Sequence, residues 1–476
     1  MKSIVLLFWS LCTVAAVAQE NWQTTVDSWM KDPALQHASV GFKIQEIKTG
    51  KVWAAHESGQ AVIPASVQKL VTTSVALDYL GESRTFQTRL QFSSSAISDG
   101  HLDGDVVLLG GGDPSLGSQY HKPLDEAVQS WIKVLKDKGV THVDGSIIAR
   151  NSLFEPYTVP RTWIWEDMGN YYGAGASGVI VHDNMYKIHF RSPAEIGALT
   201  EVVKTEPEIP GLQLQNRVVS AKGNRDNAYV FGAPGQYNPT IEGSIPANRS
   251  DFPIKAAMPN PGLFLAQYFQ TKAEEAGIQI EGEPQMENTE GEKKAEDVFK
   301  LKGLSVGQLI YHTNRKSVNL FAESLLQQLG LKRAGFGSTK LGIQALEHYY
   351  DSVGISRAGV HWEDGSGLSH FNTTTADFLV DVLQFNSRQS WFGVFKHSLP
   401  VAGRSGTLKS MFRGTPAMDR IWAKSGSMTR VRCYAGYLQT ADGKEYAFAL
   451  LVNNYECTSS QMKQKIEKLL VEIVGD

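Results

Sequence analysis

The stretch Ile63-Pro64-Ala65-Ser66-Val67-Gln68-Lys69-Leu70 decides how the rest of the chain is read. Val67, Leu70, Val71 and Leu77 recur at helical spacing as far as Leu80, which predicts a mostly buried helix with Ser66 in its first turn. Residues three apart on a helix share a face, so the Lys69 amine falls beside the Ser66 hydroxyl. A serine hydroxyl is a weak nucleophile until a neighbouring base takes its proton. A lysine in apolar surroundings can lose its own proton and serve as that base. The start of the helix also offers backbone N–H groups to a developing negative charge. The common meaning of Ser-x-x-Lys is an ordinary helix cap beside a solvated lysine, so the motif needs partners elsewhere in the chain.

The 476 residues suffice for two or three domains with real cores, and the formal charge of -3 with no basic run gives no nucleic-acid footprint. Lys2, the apolar runs Ile4–Trp9 and Leu11–Val17 and the small residues Ala16-Val17-Ala18 read as a secretory signal over 1–18, too short for a membrane span. The expected location is therefore exported and periplasmic. Cys12 leaves with the signal, and its bulky neighbours Leu11 and Trp9 argue against lipid attachment. Cys433 and Cys457 remain; an oxidising compartment would let them pair, but their offset on a predicted hairpin leaves the bond open. Two cysteines and no His-Glu-x-x-His set give no expected metal site or cofactor.

Val40, Phe42 and Ile44 alternate as a strand, Thr49-Gly50-Lys51 turns, and Val52-Trp53-Ala54-Ala55 returns. A second alternating strand, Phe86–Phe92, precedes the apolar run Val106–Leu109, a helix over Leu124–Lys138 and a strand at Gly145–Ala149. Strand, helix, strand at these lengths suggests a parallel crossover. Gly110-Gly111-Gly112 lacks both the dinucleotide fingerprint and the P-loop lysine, and reads as a tight structural turn. Phe154–Ile180 is dense in aromatics, which reads as buried packing, a substrate wall, or both. Glu287–Lys300 reads as a solvated connector. Helices are expected from Ser305 to Gly330, over Leu341–Val353 and over Ala376–Phe385. Trp422–Ser427, Arg432–Leu438 and Tyr446–Val452 form strands, and Met462, Ile466, Leu469 and Ile473 mark a closing amphipathic helix. Docking on the sheet is preferred for that helix over a membrane-surface role.

Three pieces stand in order: Ser66-x-x-Lys69, Ser317-x-Asn319 and Lys424-Ser425-Gly426. Each alone is weak; together they resemble the motif set of penicillin-binding proteins and serine beta-lactamases. The long separation of Lys69 from Ser317 is similar to that of one branch, the D-alanyl-D-alanine carboxypeptidase/endopeptidases of low-molecular-mass class C, or S13 serine peptidases. Gly111–Leu116, Trp165-Glu166-Asp167 through Ala174, Asp364–Ser369 and Gly403–Leu408 add to the likeness, which is thinnest over residues 190–295.

The resemblance implies an α/β fold, with an antiparallel sheet flanked by helices and a large inserted α/β region. The implied arrangement has residues 19–85 and 296–476 forming the transpeptidase-like domain and 86–295 the insert. Carried onto this chain, Ser66 is the acylated nucleophile and Lys69 its base. Ser317, helped by Lys424, passes the proton to the leaving amine. Asn319 holds the substrate amide and steadies Lys69. The Lys424-Ser425-Gly426 edge aligns the peptide, the Ser66 and Ser427 amides form the oxyanion hole, and the Ser425 hydroxyl meets the terminal carboxylate. A positive Lys424 would favour a neutral Lys69. Asp167 and Tyr172 are candidates for the pocket that holds the cross-linking residue of the stem peptide, and a structural role for them stays open. This chain departs from the pattern at Ser425, where threonine is commoner, and at His370, where such relatives carry arginine.

The implied activity is removal of terminal D-alanine from peptidoglycan stem peptides, together with cutting of D-amino-acid cross-links. Peptidoglycan peptides are the expected partners and beta-lactams the expected covalent inhibitors, with peripheral membrane or cell-wall association and oligomeric state left open. The rivals are a serine beta-lactamase, disfavoured by the large insert, and a non-catalytic cell-wall binder, disfavoured by the intact Ser66, Lys69, Ser317, Asn319 and Lys424.

Overall fold

The computed structural model describes residues 22–289 and 295–475, so the expected signal over 1–18 lies outside the described residues. Two compact units emerge, one of residues up to Glu82 with Ile310–Val318 and from Leu346 onward, the other of Ser83–Leu309 and Asn319–Ala345. Residues 296–309 and 319–345, placed by the sequence reading in the transpeptidase-like part, thus fall in the second unit.

The first unit is built on one antiparallel sheet of five strands. Their order across the sheet is Ile421–Met428, Val431–Gln439, Glu445–Asn453, Ser39–Glu46 and Val52–His56. The Glu445–Asn453 strand is buried along nearly its whole length, which explains its unbroken apolar run: both of its faces are covered. On one face lies the closing helix Ser459–Gly475, whose Met462, Ile466, Leu469 and Ile473 join Trp22 and Val26 of the N-terminal helical turn in one core. The apolar stripe of that helix is spent on the sheet, as its periodicity suggests. Ala376–Asn386 is tied to the sheet strands by the Tyr437 hydroxyl, which donates to the Leu383 carbonyl, and by the Gln384 side-chain amide, which donates to the Glu46 carbonyl. Cys433 is buried and Cys457 partly so, and both are free thiols.

In the second unit the expected crossover is present: Val106–Gly110 and Ile147–Arg150 pair in parallel, with the helix Leu124–Asp137 between them in the chain. Val128, Trp131, Ile132 and Leu135 of that helix are buried in the unit's core. The sheet runs Gln285–Glu287, Ile147–Arg150, Val106–Gly110, Thr85–Phe92 and Glu296–Ser305. Of the segment 287–300 read as a solvated connector, 290–294 lies outside the described residues, and from Glu296 the last strand corrects the reading, since Phe299 and Leu301 stand opposite Leu90 and Thr88 in an antiparallel pair. Charge hid it: Asp297 meets both Arg89 and Lys300 on this edge. An outer strand carrying ionic side chains is protected from pairing with other chains, and in the sequence it looks like a linker. The glycine turn is structural, its Gly112 amide donating to the Gly178 carbonyl while the Gly111 carbonyl accepts from the Gln328 side chain.

Candidate active site

Ala65–Gln68 is a 3₁₀ turn and the α-helix proper begins at Lys69, a correction to the α-helical first turn expected from periodicity. The change improves the geometry. With three residues per turn, side chains at i and i+3 eclipse, so Ser66 and Lys69 lie one above the other. The Lys69 Nζ is 2.9 Å from the Ser66 Oγ and donates to the Ser366 carbonyl at 2.7 Å. Lys69 is fully buried. Ala65, just before the nucleophile, has a φ of 46°, a left-handed conformation that costs a non-glycine residue about 1 kcal/mol or more and is held only by its surroundings.

Those surroundings are the loop Asp364–Ser369 and the strand Ile421–Met428. The buried Asp364 carboxylate accepts from the amides of Gly367 (2.7 Å) and Ser369 (2.6 Å) and from the Asn372 side chain, shaping a tight loop. Gln68 and Thr72, on the polar face of the nucleophile helix, donate to the carbonyls of Asp364 and Gly365. Gly367 has a φ of 80°, and a Cβ there would lie 2.0 Å from the Ala65 carbonyl oxygen. Gly367→Val is therefore expected to lower unfolding free energy by at least ~3 kcal/mol, through a forbidden φ together with a backbone clash. Urea melts of the two proteins check this, and an unchanged midpoint would show that the loop is not fitted to the nucleophile turn. On the strand side, a Cβ on Gly426 would stand 2.7 Å from the Pro64 carbonyl and 3.0 Å from the Ser66 amide nitrogen. Only glycine lets this strand come so close.

Lys424 is also fully buried; its Nζ donates to the Ser317 Oγ at 2.8 Å and to the Ser425 carbonyl at 2.6 Å. Burial, and then the neighbouring Lys69 charge, push the Lys424 ammonium well below the usual lysine range. The repulsion acts on both amines, so they titrate as a pair that gives up a proton more readily than separate lysines do. Ser317 itself has a φ of 60°, a second strained residue, between the helices Val306–Lys316 and Asn319–Ala334. The Ser425 hydroxyl donates to the Thr407 Oγ1 at 2.7 Å, and Ser427 is exposed at the strand's far end.

In the first unit the structure thus brings Ser66, Lys69, Ser317, Lys424, Ser425 and Gly426 together. His370 is exposed beyond the Asp364–Ser369 loop. Asn319 belongs to the second unit, although chain connectivity holds its Cα within about 7 Å of that of Ser317. Its side-chain amide donates to the Tyr172 carbonyl at 2.7 Å. Tyr172 in turn hydrogen-bonds the mostly buried Asp167, and burial followed by that carboxylate's charge raises the phenol above its ordinary range. Asp167, Tyr172 and Asn319 are therefore one connected group. Residue-by-residue reading missed Asp364, Ser366 and Thr407. Their signal was present in the Asp364–Ser369 and Gly403–Leu408 segments, whose small and polar residues were noted without roles.

Residues 22–474 match the model of the D-Ala-D-Ala carboxypeptidase 3 (S13) family. The chain belongs to this family. It is a serine-type D-Ala-D-Ala carboxypeptidase/endopeptidase acting on peptidoglycan. It is 28% identical to the D-alanyl-D-alanine carboxypeptidase of an Actinomadura species over 90% of this chain and 80% of that one. Against D-alanyl-D-alanine carboxypeptidase DacB of Haemophilus influenzae the identity is 24%, over 90% and 88%. The crystal structure of penicillin binding protein 4 from Haemophilus influenzae superposes with a TM-score of 0.81 at 20% identity, covering 94% of this chain and 97% of that one. A predatory peptidoglycan endopeptidase of Bdellovibrio bacteriovorus superposes with a TM-score of 0.51 at 15% identity, over 92% and 93%. The S13 fold here is thus the α/β architecture of penicillin-binding proteins, with sheets flanked by helices.

Proposed function

We propose that Ser66 is the acylated residue of this enzyme, in an exported, periplasmic protein that trims and opens peptidoglycan stem peptides. The observation that carries the reading is the 2.9 Å contact of Ser66 Oγ with a fully buried Lys69 amine. A neutral Lys69 takes the hydroxyl proton as Ser66 Oγ bonds to the carbonyl carbon of the penultimate D-alanine. The oxyanion that forms is held by the Ser66 and Ser427 amides. Ser317, hydrogen-bonded to Lys424, hands a proton to the departing nitrogen, and the C–N bond breaks to release D-alanine or the amine of a cross-link. Water then adds to the ester and frees Ser66.

Ser425 and Thr407 present paired hydroxyls at the strand edge, suited to the terminal carboxylate of the peptide. A hydroxyl at residue 425 meets the need that threonine fills in the commoner motif. By the resemblance of its motif, Asn319 is assigned to the scissile amide and Tyr172 and Asp167 to the residue before the D-alanines, and within the second unit Asn319 donates to the Tyr172 carbonyl; His370 is exposed. The leader-like residues 1–18 and the location of the substrate support export. A beta-lactam amide mimics the same carbonyl and acylates Ser66.

The test incubates the pure protein, and its Ser66→Ala variant, with defined monomeric and cross-linked muropeptides. Release of D-alanine and conversion of dimers to monomers by the wild type alone is the expected result. Rapid steady hydrolysis of penicillin with intact muropeptides would instead make it a beta-lactamase.

A further inference from the structure

Far along the chain from Ser66, three short strands of the second unit carry a repeated pattern of a polar donor, an apolar residue and an acid: His101-Leu102-Asp103, His142-Val143-Asp144 and Gln279-Ile280-Glu281. The strands pair in parallel, with His101 opposite His142 and Gln279 opposite His142. Period-2 alternation sends Leu102 and Val143 into the core and puts the His and acid positions on the other face. His101 and His142 stack at 4.4 Å between ring centres.

From this juxtaposition we propose that His101, His142 and Asp144, with Glu281 as fourth ligand, form a structural site for a divalent transition-metal ion, zinc first, that clamps the three strands together. The ligand atoms of His101, His142 and Asp144 all lie within 4.8 Å of one another. The separations are 3.0 Å from His101 Nδ1 to Asp144 Oδ1, 3.5 Å from His142 Nε2 to the same oxygen, and 3.0 Å from His142 Nε2 to Glu281 Oε1. A tetrahedron around zinc at its usual bond lengths to nitrogen and oxygen has edges of about 3.3–3.4 Å; His101, His142 and Asp144 already converge, whereas Glu281 touches only His142 and its exposed carboxylate must turn inward to complete the set. The second nitrogen of His142, Nδ1, lies 3.1 Å from the Gln279 side-chain oxygen, which can only accept. Nδ1 is therefore the protonated nitrogen, as in most zinc-bound histidines. Nε2 then faces two carboxylate oxygens, an arrangement that calls for positive charge at that point, supplied either by a proton on Nε2 or by a metal ion in its place. Two imidazoles and carboxylates are donors that suit zinc, while the exposed face leaves room for the ion to enter. The expectation of no metal rested on cysteine clusters and His-Glu-x-x-His; a set assembled one strand at a time escapes both.

Isothermal titration of the pure, chelator-treated protein with Zn²⁺ alone tests the site, alongside His142→Ala and Asp144→Asn. One equivalent should bind the wild type, and Co²⁺ in its place should give the visible absorption of a tetrahedral ion. Each variant should weaken binding by at least ~100-fold, since loss of a direct ligand exceeds the ~10–100-fold loss of a partner that only orients one. Penicillin labelling of Ser66 should be unchanged in both, which certifies their fold. If His142→Ala does not fold, Asp144→Asn decides. Absence of saturable one-to-one binding, or binding unaltered in a folded variant, would overturn the site and leave an imidazolium paired with carboxylates.

Discussion

Ser66→Ala is expected to abolish covalent penicillin labelling and to lower kcat/KM for D-alanine release by at least ~10⁴-fold, with the thermal midpoint little changed. Ser66 is only partly buried, and a methyl group fits where the hydroxymethyl was, so folding has little to lose. The chemistry loses its only attacking atom at the 2.9 Å contact with Lys69. Lys69→Met should match that loss, because without the amine the hydroxyl keeps its proton. The double variant should be no worse than either single one, since residues that act as a unit are removed only once. Stability separates Lys69 from a merely structural lysine. Exchanging a fully buried amine for an apolar side chain of similar length is expected to leave the midpoint unchanged or raise it. Intact-mass spectra after penicillin treatment, read beside thermal melts, check both outcomes. A labelled Ser66→Ala protein would place the nucleophile elsewhere.

Periodicity was legible wherever burial was one-sided and regular. The helix Leu124–Asp137, the closing helix Ser459–Gly475 and the hairpin strands Ser39–Glu46 and Val52–His56 follow directly from the spacing of apolar residues. The strand Glu296–Ser305 did not, since its ionic edge imitates a linker. Nor did the 3₁₀ turn at Ala65–Gln68, because its cause lies far along the chain, at Gly367 and Gly426. The spacing of Ser66 and Lys69 suggested their contact, as one helical turn links them. That Ser366 accepts from Lys69 and Thr407 accepts from Ser425 depends on loop conformations stabilised by the buried Asp364 carboxylate and, near Thr407, by the paired Arg404 and Asp419 side chains. No local pattern encodes such long-range fits. Among the non-glycine residues with positive φ, Ala65 and Ser317 are of types seldom found there, and these two adjoin the site.

Lys424→Met should slow penicillin acylation at neutral pH by ~10²–10⁴-fold and shift the acid limb of its pH profile to higher pH. The first effect follows from Ser317, which loses the donor 2.8 Å away that readies it to pass a proton. The second follows from repulsion. In the wild type, burial and the Lys69 charge hold Lys424 well below the usual lysine range, and the coupling between two neighbouring amines is reciprocal. As pH falls, the pair takes up its second proton, the base is lost and acylation stops; without Lys424 that protonation begins at higher pH. Stability should respond with a definite sign. Between the depressed native pKa of Lys424 and the unfolded value of about 10.4, the unfolded chain binds more protons, so the native state gains stability as pH rises. Lys424→Met removes this dependence, so its melting curve should vary less with pH across that window and its relative stability should be greatest on the acid side. Stopped-flow acylation and thermal melts over the same pH series measure both. An acid limb that stays in place in the variant would mean that the two amines do not share a charge, and the proton route from Ser66 to Lys69 would then need another source of neutrality.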